Sequence, residues 1–338
     1  MNDWGVSDRA AAIHRDAVVW DMTFPLMDPG PPEQRYGPLA RMAESGYDFV
    51  SLTVALDWDG VAETLAAIAR ERAWLRANAD RYVLVETVDD IDAARQQGKL
   101  AVGFHFQGTN PVDYDVDMVE VYYKLGVRHM LIAYNARNAA GDGWFEPNDG
   151  GLSRFGVRLI ETMNRVGMMV DATHTGYRTT MEMFEVSRDP VVFTHSNPRA
   201  LHDHGRNIRD DQIKACARSG GVIGLNGVSL FLGGTQASPE ALADHVQYVA
   251  DLVGARHVGL GLDYVFDQLS LAATINSRRA WTPPDESFAD QPQETVTYLQ
   301  PEQLPRFTEI LLERGYSEDD VRGILGENWM RVARQVWK

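Results

Sequence analysis

The sequence predicts an α/β fold, a (β/α)8 barrel of the TIM type that takes in residues 1–338 as one domain with C-terminal helices. Three observations support this prediction. The chain contains eight short apolar segments, helix-like segments alternate with them, and polar residues follow several of the apolar segments directly. Eight strands that alternate with helices meet the requirement of a closed parallel barrel. Single barrel domains often exceed about 250 residues, so the chain length fits.

The candidate strands lie near residues 17–22, 47–55, 100–108, 128–135, 167–174, 190–196, 221–227 and 257–263. Helix-like segments stand between them, for example at 61–79 and 155–167. The segment 155–167 has apolar residues at i, i+3, i+4 and i+7 and ends at a glycine, as amphipathic helices do. The stretch from Phe266 to Gln300 is rich in Pro, Asp, Ser and Thr, which predicts a long loop over the catalytic face before terminal helices.

Composition narrows the class of protein. Hydrophobic residues make up 44% of the chain, enough for a large core, and the formal net charge of −16 disfavours nucleic acid and anionic membranes as partners. The single cysteine, Cys216, excludes a disulfide framework and suits a reducing compartment. The first residues lack the apolar core of a signal peptide, and no window approaches 18 apolar residues. We therefore expect a cytoplasmic protein that acts on a small molecule.

Three polar residues end candidate strands and are the first candidates for a catalytic site. His174 and His195 end consecutive strands, where two imidazoles can reach one metal ion, and zinc suits such ligands. Asp263 ends the last strand, where a carboxylate can move a proton. The alternatives are that each histidine only bonds a loop and that Asp263 caps a helix. Their matched positions at strand ends favour the catalytic interpretation.

Five segments, in order and spacing, carry a resemblance to a known family: DATHTG, FTHSNPRAL, HGRNIRDD, HVQYVADLVGARHVGLGLD and GENWMRVARQVW. They resemble the renal (membrane) dipeptidase family of the amidohydrolase superfamily. The resemblance covers nearly the whole chain and weakens in the first three strands. It implies a barrel of the metal-dependent hydrolase type, in which two zinc ions, bridged by a glutamate and a hydroxide, hydrolyse dipeptides or other amides. It also allows a homodimer.

The resemblance assigns roles to individual residues. His174 and His195 match the two histidine ligands of the second metal, and Asp263 matches the general acid and base. Arg206 matches the arginine that binds the substrate carboxylate, a task that suits a planar guanidinium. Tyr134 replaces a histidine that contacts the carbonyl oxygen of the scissile bond, and its phenol can still donate to that oxygen. Asn135, beside it, is a further candidate for substrate binding.

The first half of the chain departs from the family pattern. Thr23 and Pro25 stand where the family has a His-x-Asp pair of ligands, and Gln107 replaces the bridging glutamate. With both carboxylates gone, no protein anion remains to hold the first metal or to bridge to it. We therefore expect no dinuclear centre and at most one zinc ion.

One ion can remain on the two histidines that end the strands, with Gln107 as a weak neutral ligand. His105 is a third candidate ligand, because side chains alternate along a strand and it shares a face with Gln107. The alternative is that His105 fills space left by the missing pair and bonds Thr23 or Asp21.

Three functions remain open at this point. The leading one is a dipeptidase-like, metal-dependent hydrolase of a dipeptide or another small amide that bears a carboxylate. The second is a non-hydrolytic isomerase or lyase in which Asp263 and Tyr134 transfer protons. The third is a binding protein that kept the barrel and lost catalysis.

Overall fold

A parallel barrel organises the chain. The computed structural model describes residues 4–25, 32–266, 277–278 and 296–338. The strands are β1 (Trp20–Pro25), β2 (Phe49–Leu56), β3 (Tyr82–Leu84), β4 (Leu100–Gln107), β5 (Val127–Leu131), β6 (Met169–Asp171), β7 (Val191–Val192), β8 (Ile223–Leu225) and β9 (Val258–Leu260). They pair in the order β7-β6-β5-β4-β2-β1-β9-β8, all parallel, and a bridge between Phe193 and Ile223 joins the two ends. The predicted (β/α)8 fold is confirmed.

Helices connect and cover the strands. They are α1 (Asp8–Asp16), α2 (Pro32–Glu44), α3 (Val61–Ala77), α4 (Asp89–Gln96), α5 (Met118–Lys124), α6 (Arg154–Val166), α7 (Tyr177–Val186), α8 (Asp210–Ser219), α9 (Ser229–Leu232), α10 (Pro239–Val253), α11 (Leu304–Glu313), α12 (Glu318–Arg322) and α13 (Asn328–Val336). Local sequence sets their ends. Ser153 caps α6 through the Gly156 amide, and Gly167 closes it with a φ of 94°. Within the described ranges, no helix has the length and apolar character needed to cross a membrane.

Two features differ from the sequence prediction. The short strand β3 pairs only with β4 and stands outside the closed barrel, and no pattern in its three residues had predicted it. The strands β5 to β9 also end earlier than predicted. After β6 the chain leaves the ladder before His174, whose φ of 67° is not a strand conformation. The loop predicted from Phe266 to Gln300 lies mostly outside the described residues.

An aromatic cluster fills the end of the barrel where the strands begin. Trp20 and Phe49 pack there with ring centroids 4.2 Å apart, and Trp329 donates from its indole to the Leu260 carbonyl at 3.1 Å. A Cβ at Gly259 would lie 2.4 Å from the Trp329 indole nitrogen, so this close approach requires glycine. Because this end is closed, the polar residues at the opposite ends of the strands form the accessible face of the barrel.

Candidate active site

His174 and His195 meet above the carboxyl ends of β6 and β7. Their Nε2 atoms are 3.1 Å apart, and both side chains are buried. His174 has a φ of 67° and Asp263, after β9, a φ of 55°. Non-glycine residues are uncommon in this left-handed region, and such strain concentrates at functional sites. Two of the three residues singled out at strand ends therefore have a strained backbone.

The Nδ1 atom of each imidazole lies within hydrogen-bond distance of a neighbouring side-chain oxygen. The Nδ1 of His195 lies 2.9 Å from Thr194 Oγ1 and 3.0 Å from Thr23 Oγ1. The Nδ1 of His174 lies 2.7 Å from Asn135 Oδ1, and the His174 ring stacks on Tyr134 with centroids 4.3 Å apart. Thr23, which the resemblance predicts to replace a ligand of the family, thus lies where its hydroxyl can orient a histidine.

The electrostatic environment keeps both histidines neutral. Burial lowers the pKa of His174 and of His195 well below the usual value, and the positive charge of Arg206 lowers both further. Neutral imidazole is the form that binds a metal ion. Two nitrogens bound to one tetrahedral zinc ion at 2.0 to 2.1 Å would lie about 3.3 Å apart, close to the observed spacing. The pair therefore fits two ligand positions of a single ion.

The deeper part of the barrel has a different character. His105 bonds Ser51 Oγ through Nδ1 and Thr53 Oγ1 through Nε2, both at 2.9 Å, and Gln107 donates to Thr53 at 3.0 Å. Burial, followed by the charges of other histidines, lowers the pKa of His105 well below the usual value. Its partners are therefore hydroxyls of β2, and not Thr23 or Asp21 as the alternative interpretation expected.

This hydroxyl network does not suit a second metal ion. It offers one amide, two alcohols and an imidazole whose two nitrogens are both engaged, and none of these carries negative charge. In the part of the chain that the structure describes, no three histidine, cysteine, aspartate or glutamate side chains gather at a point where they could hold an ion. The histidine pair thus supplies two of the ligands that one ion needs, whereas the groups beside Gln107 do not suit an ion.

Two buried residues that lie next to this network, His129 and Asp171, were missed in the sequence. His129 bonds Ser51 Oγ at 3.0 Å and stacks on His105 with centroids 4.4 Å apart. Its Nδ1 lies 3.5 Å from Asp171 Oδ2. Burial acts to raise the pKa of Asp171, but bonds and charges from His129, His195 and Thr194 outweigh it and hold that pKa below the usual value. A histidine in the middle of an apolar strand was the only signal for His129.

The charge of Asp263 acts on two tyrosines. Burial raises its pKa to about 6, opposed by the Asn226 amide, which donates to it at 3.1 Å, and by the charge of Arg206. Burial also raises the pKa of Tyr134 and of Tyr298, and in both cases the charge of Asp263 adds to the rise. The three groups therefore face one region. Tyr298 had not been predicted, because it follows the poorly patterned stretch before α11.

Arg206 lies beside the histidine pair with part of its donor capacity unused. Its Nη1 donates to Ser196 Oγ at 3.1 Å and its Nη2 to the His195 carbonyl at 2.8 Å. The Nε–H is buried and has no acceptor among the described residues. Burial lowers its pKa to about 10, so the group stays charged at neutral pH. A buried cation with an unused donor suits a ligand carboxylate.

Asp21 is a buried carboxyl group beneath this site. Its Oδ1 accepts from the amides of Thr23 at 3.1 Å and Leu262 at 2.9 Å, whereas Oδ2 has no partner in the described structure. Burial raises its pKa to about 7, against the effect of the two amides, and the charge of Asp263 raises it further. Near neutral pH this group changes from a neutral acid to a buried anion.

Asp21→Asn is expected to increase the free energy of unfolding relative to the parent by about 2 to 3 kcal/mol more at pH 8 than at pH 5. The folded-state pKa lies above the unfolded value, so at pH 5 the folded protein holds a proton that the unfolded chain lacks. The parent therefore loses stability as the pH rises from the unfolded-state pKa of Asp21 through about 7, whereas the asparagine variant does not titrate at this position. Urea unfolding at both pH values measures the difference. Asp319→Asn, at an exposed position, is the control, and an equal Asp21→Asn effect at both pH values would contradict the argument.

Comparison with known proteins finds dipeptidases and amidohydrolases that are similar to this chain. The profile of the membrane dipeptidase family (peptidase family M19) matches residues 32–272. A protein of Schizosaccharomyces pombe named as an uncharacterized dipeptidase is 35% identical over 212 residues, which are 60% of this chain and 51% of that protein. A dipeptidase of Clonostachys rogersoniana is 28% identical over 291 residues, 86% of this chain and 68% of its own length. This chain thus spans about half to two thirds of these two relatives.

Among solved structures, an amidohydrolase from Pseudomonas aeruginosa superimposes with a TM-score of 0.87 at 30% identity, covering 97% of this chain and 99% of its own. The likeness therefore extends over almost the whole chain.

Proposed function

Because this chain belongs to the membrane dipeptidase family, peptidase family M19, we propose that it is a metal-dependent hydrolase of a dipeptide or another small amide that bears a carboxylate. It uses one divalent ion at most, zinc by the family pattern. The observation that carries the proposal is the pair of neutral imidazole nitrogens 3.1 Å apart beside a buried arginine. This combination provides for a cation and for a substrate anion at one place.

The chain's own residues divide the work. Arg206 binds the substrate carboxylate through its unused donors and so fixes the scissile bond over the site. Asp263, with a pKa of about 6, takes a proton from the attacking water and returns it to the leaving amine. Tyr134, whose raised pKa keeps the phenol protonated, donates to the carbonyl oxygen as charge develops there.

In this proposal His174 and His195 hold the ion. A bound zinc ion lowers the pKa of water and polarises a carbonyl group. His105 and Gln107 remain candidates for further ligands, but His105 would first have to give up a bond to Ser51 or Thr53. The amide of Asn135 stays a candidate for substrate binding through its nitrogen, since its oxygen accepts from Trp144 and contacts His174.

The metal content of the purified protein tests this assignment. We expect about one equivalent in the parent by plasma mass spectrometry, and near zero in His174→Ala, because a single imidazole cannot hold the ion. His105→Ala should retain the ion, because both of its ring nitrogens already bond hydroxyls. His257→Ala removes a buried histidine whose Nδ1 bonds the Gly221 carbonyl, before the start of β8 and so at the opposite ends of the strands, and is the control.

Turnover separates the remaining functions. Hydrolysis of a dipeptide panel should stop after chelation and return with zinc. Equal hydrolysis with and without metal would refute the metal-dependent proposal. Turnover of a compound in the presence of chelator would instead favour the second candidate, proton transfer without hydrolysis, which the shared location of Asp263 and Tyr134 supports. Loss of metal from His105→Ala would make that histidine the third ligand.

The cellular setting is part of the proposal. Cys216 is buried and unpaired, and burial raises its pKa, as expected of a structural thiol in a reducing compartment. A cytoplasmic location, a small-molecule substrate and a homodimer are therefore inferred from composition and from the resemblance.

A further inference from the structure

A hydrogen-bond relay connects His195 to a buried carboxylate. Asp171 Oδ2 accepts from the Thr194 hydroxyl at 2.5 Å, and Thr194 Oγ1 lies 2.9 Å from His195 Nδ1. The other oxygen of Asp171 accepts from the amides of Thr173 at 2.9 Å and Thr194 at 3.2 Å. Asp171 thus acts only as an acceptor in these bonds, with three donors within hydrogen-bond distance and His129 Nδ1 at 3.5 Å. All of these side chains are buried.

Because the relay ends at Asp171, which only accepts, the direction of each hydrogen bond in it is determined. A threonine hydroxyl has a single proton, and Thr194 gives it to Asp171. Its oxygen can then only accept from His195, so the proton of the neutral imidazole must be on Nδ1. The Nε2 atom of His195 consequently presents a lone pair toward His174.

A second chain of hydrogen bonds, which begins at the indole of Trp144, determines the tautomer of His174. The indole of Trp144 can only donate, and it donates to Asn135 at 2.7 Å, which identifies the accepting atom as the amide oxygen. That oxygen also lies 2.7 Å from His174 Nδ1. The proton of His174 is therefore on Nδ1 as well, and its Nε2 presents a lone pair toward His195.

Two lone pairs that face each other at 3.1 Å cannot form a hydrogen bond, and they are suited to a shared cation. We propose that Thr194 is a positioning residue: because its hydroxyl donates to Asp171, its oxygen can only accept from His195, and this holds His195 in its cation-binding tautomer. This inference rests on the proposed function only in taking a metal ion as the cation. Neither the resemblance nor the strand-end pattern had assigned a role to Thr194.

Loss of the Thr194 hydroxyl should release the tautomer of His195. The Thr23 hydroxyl, 3.0 Å from Nδ1, could then donate to that atom. Nε2 would carry the proton and bond His174. In Thr194→Val this internal bond would compete with the ion, and we expect zinc affinity to fall about 10- to 100-fold. Thr194→Ser keeps the hydroxyl and should behave as the parent does.

Two measurements on parent, Thr194→Val and Thr194→Ser protein test the proposal. Nitrogen-15 chemical shifts of the metal-free, histidine-labelled protein report which ring nitrogen of His195 carries the proton, with His195→Gln identifying the signals. Competition with a chromophoric chelator measures zinc affinity. Thr64→Val is the control, because the Thr64 hydroxyl is buried in α3 without a partner in the described structure. If Thr194→Val fails to fold, as judged by thermal unfolding, Thr194→Ala takes its place.

A shift of the proton to Nε2 together with weaker zinc binding in the valine variant alone would support the proposal. An unchanged Nδ1 proton and unchanged affinity in that variant would overturn it. The tautomer is read without metal or substrate, so its outcome is independent of hydrolysis. A protein that hydrolyses its substrate equally well with and without metal but shows the tautomer shift would refute the proposed function and leave the positioning role intact.

Discussion

Asp263→Asn is expected to lower kcat by about 10²- to 10⁴-fold on whichever dipeptide the parent cleaves best, with little change in KM. Asparagine has the same shape and can still accept the bond from Asn226, but it cannot take a proton from water. The pKa of about 6 places the carboxylate in its basic form at neutral pH while keeping it a usable acid. Steady-state kinetics at pH 7.5, where the Asp263 carboxyl group of the parent is ionised, measures the change in kcat.

The pH profile of the parent provides an independent check on the same group. Because the folded-state pKa is raised, the rate should fall as the pH decreases through about 6, where the base becomes protonated. The residual rate of Asp263→Asn should lack this decline. The exposed substitution Asp319→Asn should leave rate and profile unchanged. A kcat in Asp263→Asn within a few fold of the parent would remove Asp263 from the proposed chemistry.

The fold could be predicted from the sequence because its signals are local. The eight barrel strands are apolar runs bounded by helix-like segments, and each of those signals is contained within a few neighbouring residues. The strand β3 was missed because three residues cannot show an alternation. The ends of β5 to β9 were placed too late for a different reason. Strand-forming residues continue past the last ladder bond, as after β6, where a left-handed backbone conformation at His174 follows the end of the strand.

The site was predictable only where position along a strand was sufficient. His174, His195 and Asp263 follow apolar runs directly. The network around them depends on contacts between segments distant in sequence: Ser51 bonds His129 78 positions later, and Thr23 bonds His195 172 positions later. No local pattern encodes such pairs, since they follow from how neighbouring strands align. The sequence therefore revealed the candidate ligands but not the residues that orient them.

Arg206→Lys is expected to lower kcat/KM by at least about 100-fold for substrates with a free carboxylate, mainly through KM. Lysine keeps the positive charge but loses the planar fork that donates to Ser196 and the His195 carbonyl. It also loses the buried Nε–H, the donor that we assign to the substrate. Initial rates over a range of dipeptide concentrations separate KM from kcat.

A substrate with a C-terminal amide distinguishes recognition of the carboxylate from a structural effect. If Arg206 binds the carboxylate, the parent should cleave the amide as poorly as Arg206→Lys cleaves the free acid, and the variant should lose little more on the amide. Arg331→Lys is the matched control, since Arg331, like Arg206, donates through both of its Nη atoms, in this case to two backbone carbonyls, and has an unpartnered Nε–H among the described residues. A decrease of equal size on both substrates would assign Arg206 to the support of His195, because its guanidinium bonds that residue's carbonyl. The deciding quantity is therefore the difference between the loss that Arg206→Lys causes on the free acid and the loss that it causes on the amide, and not the size of either loss alone.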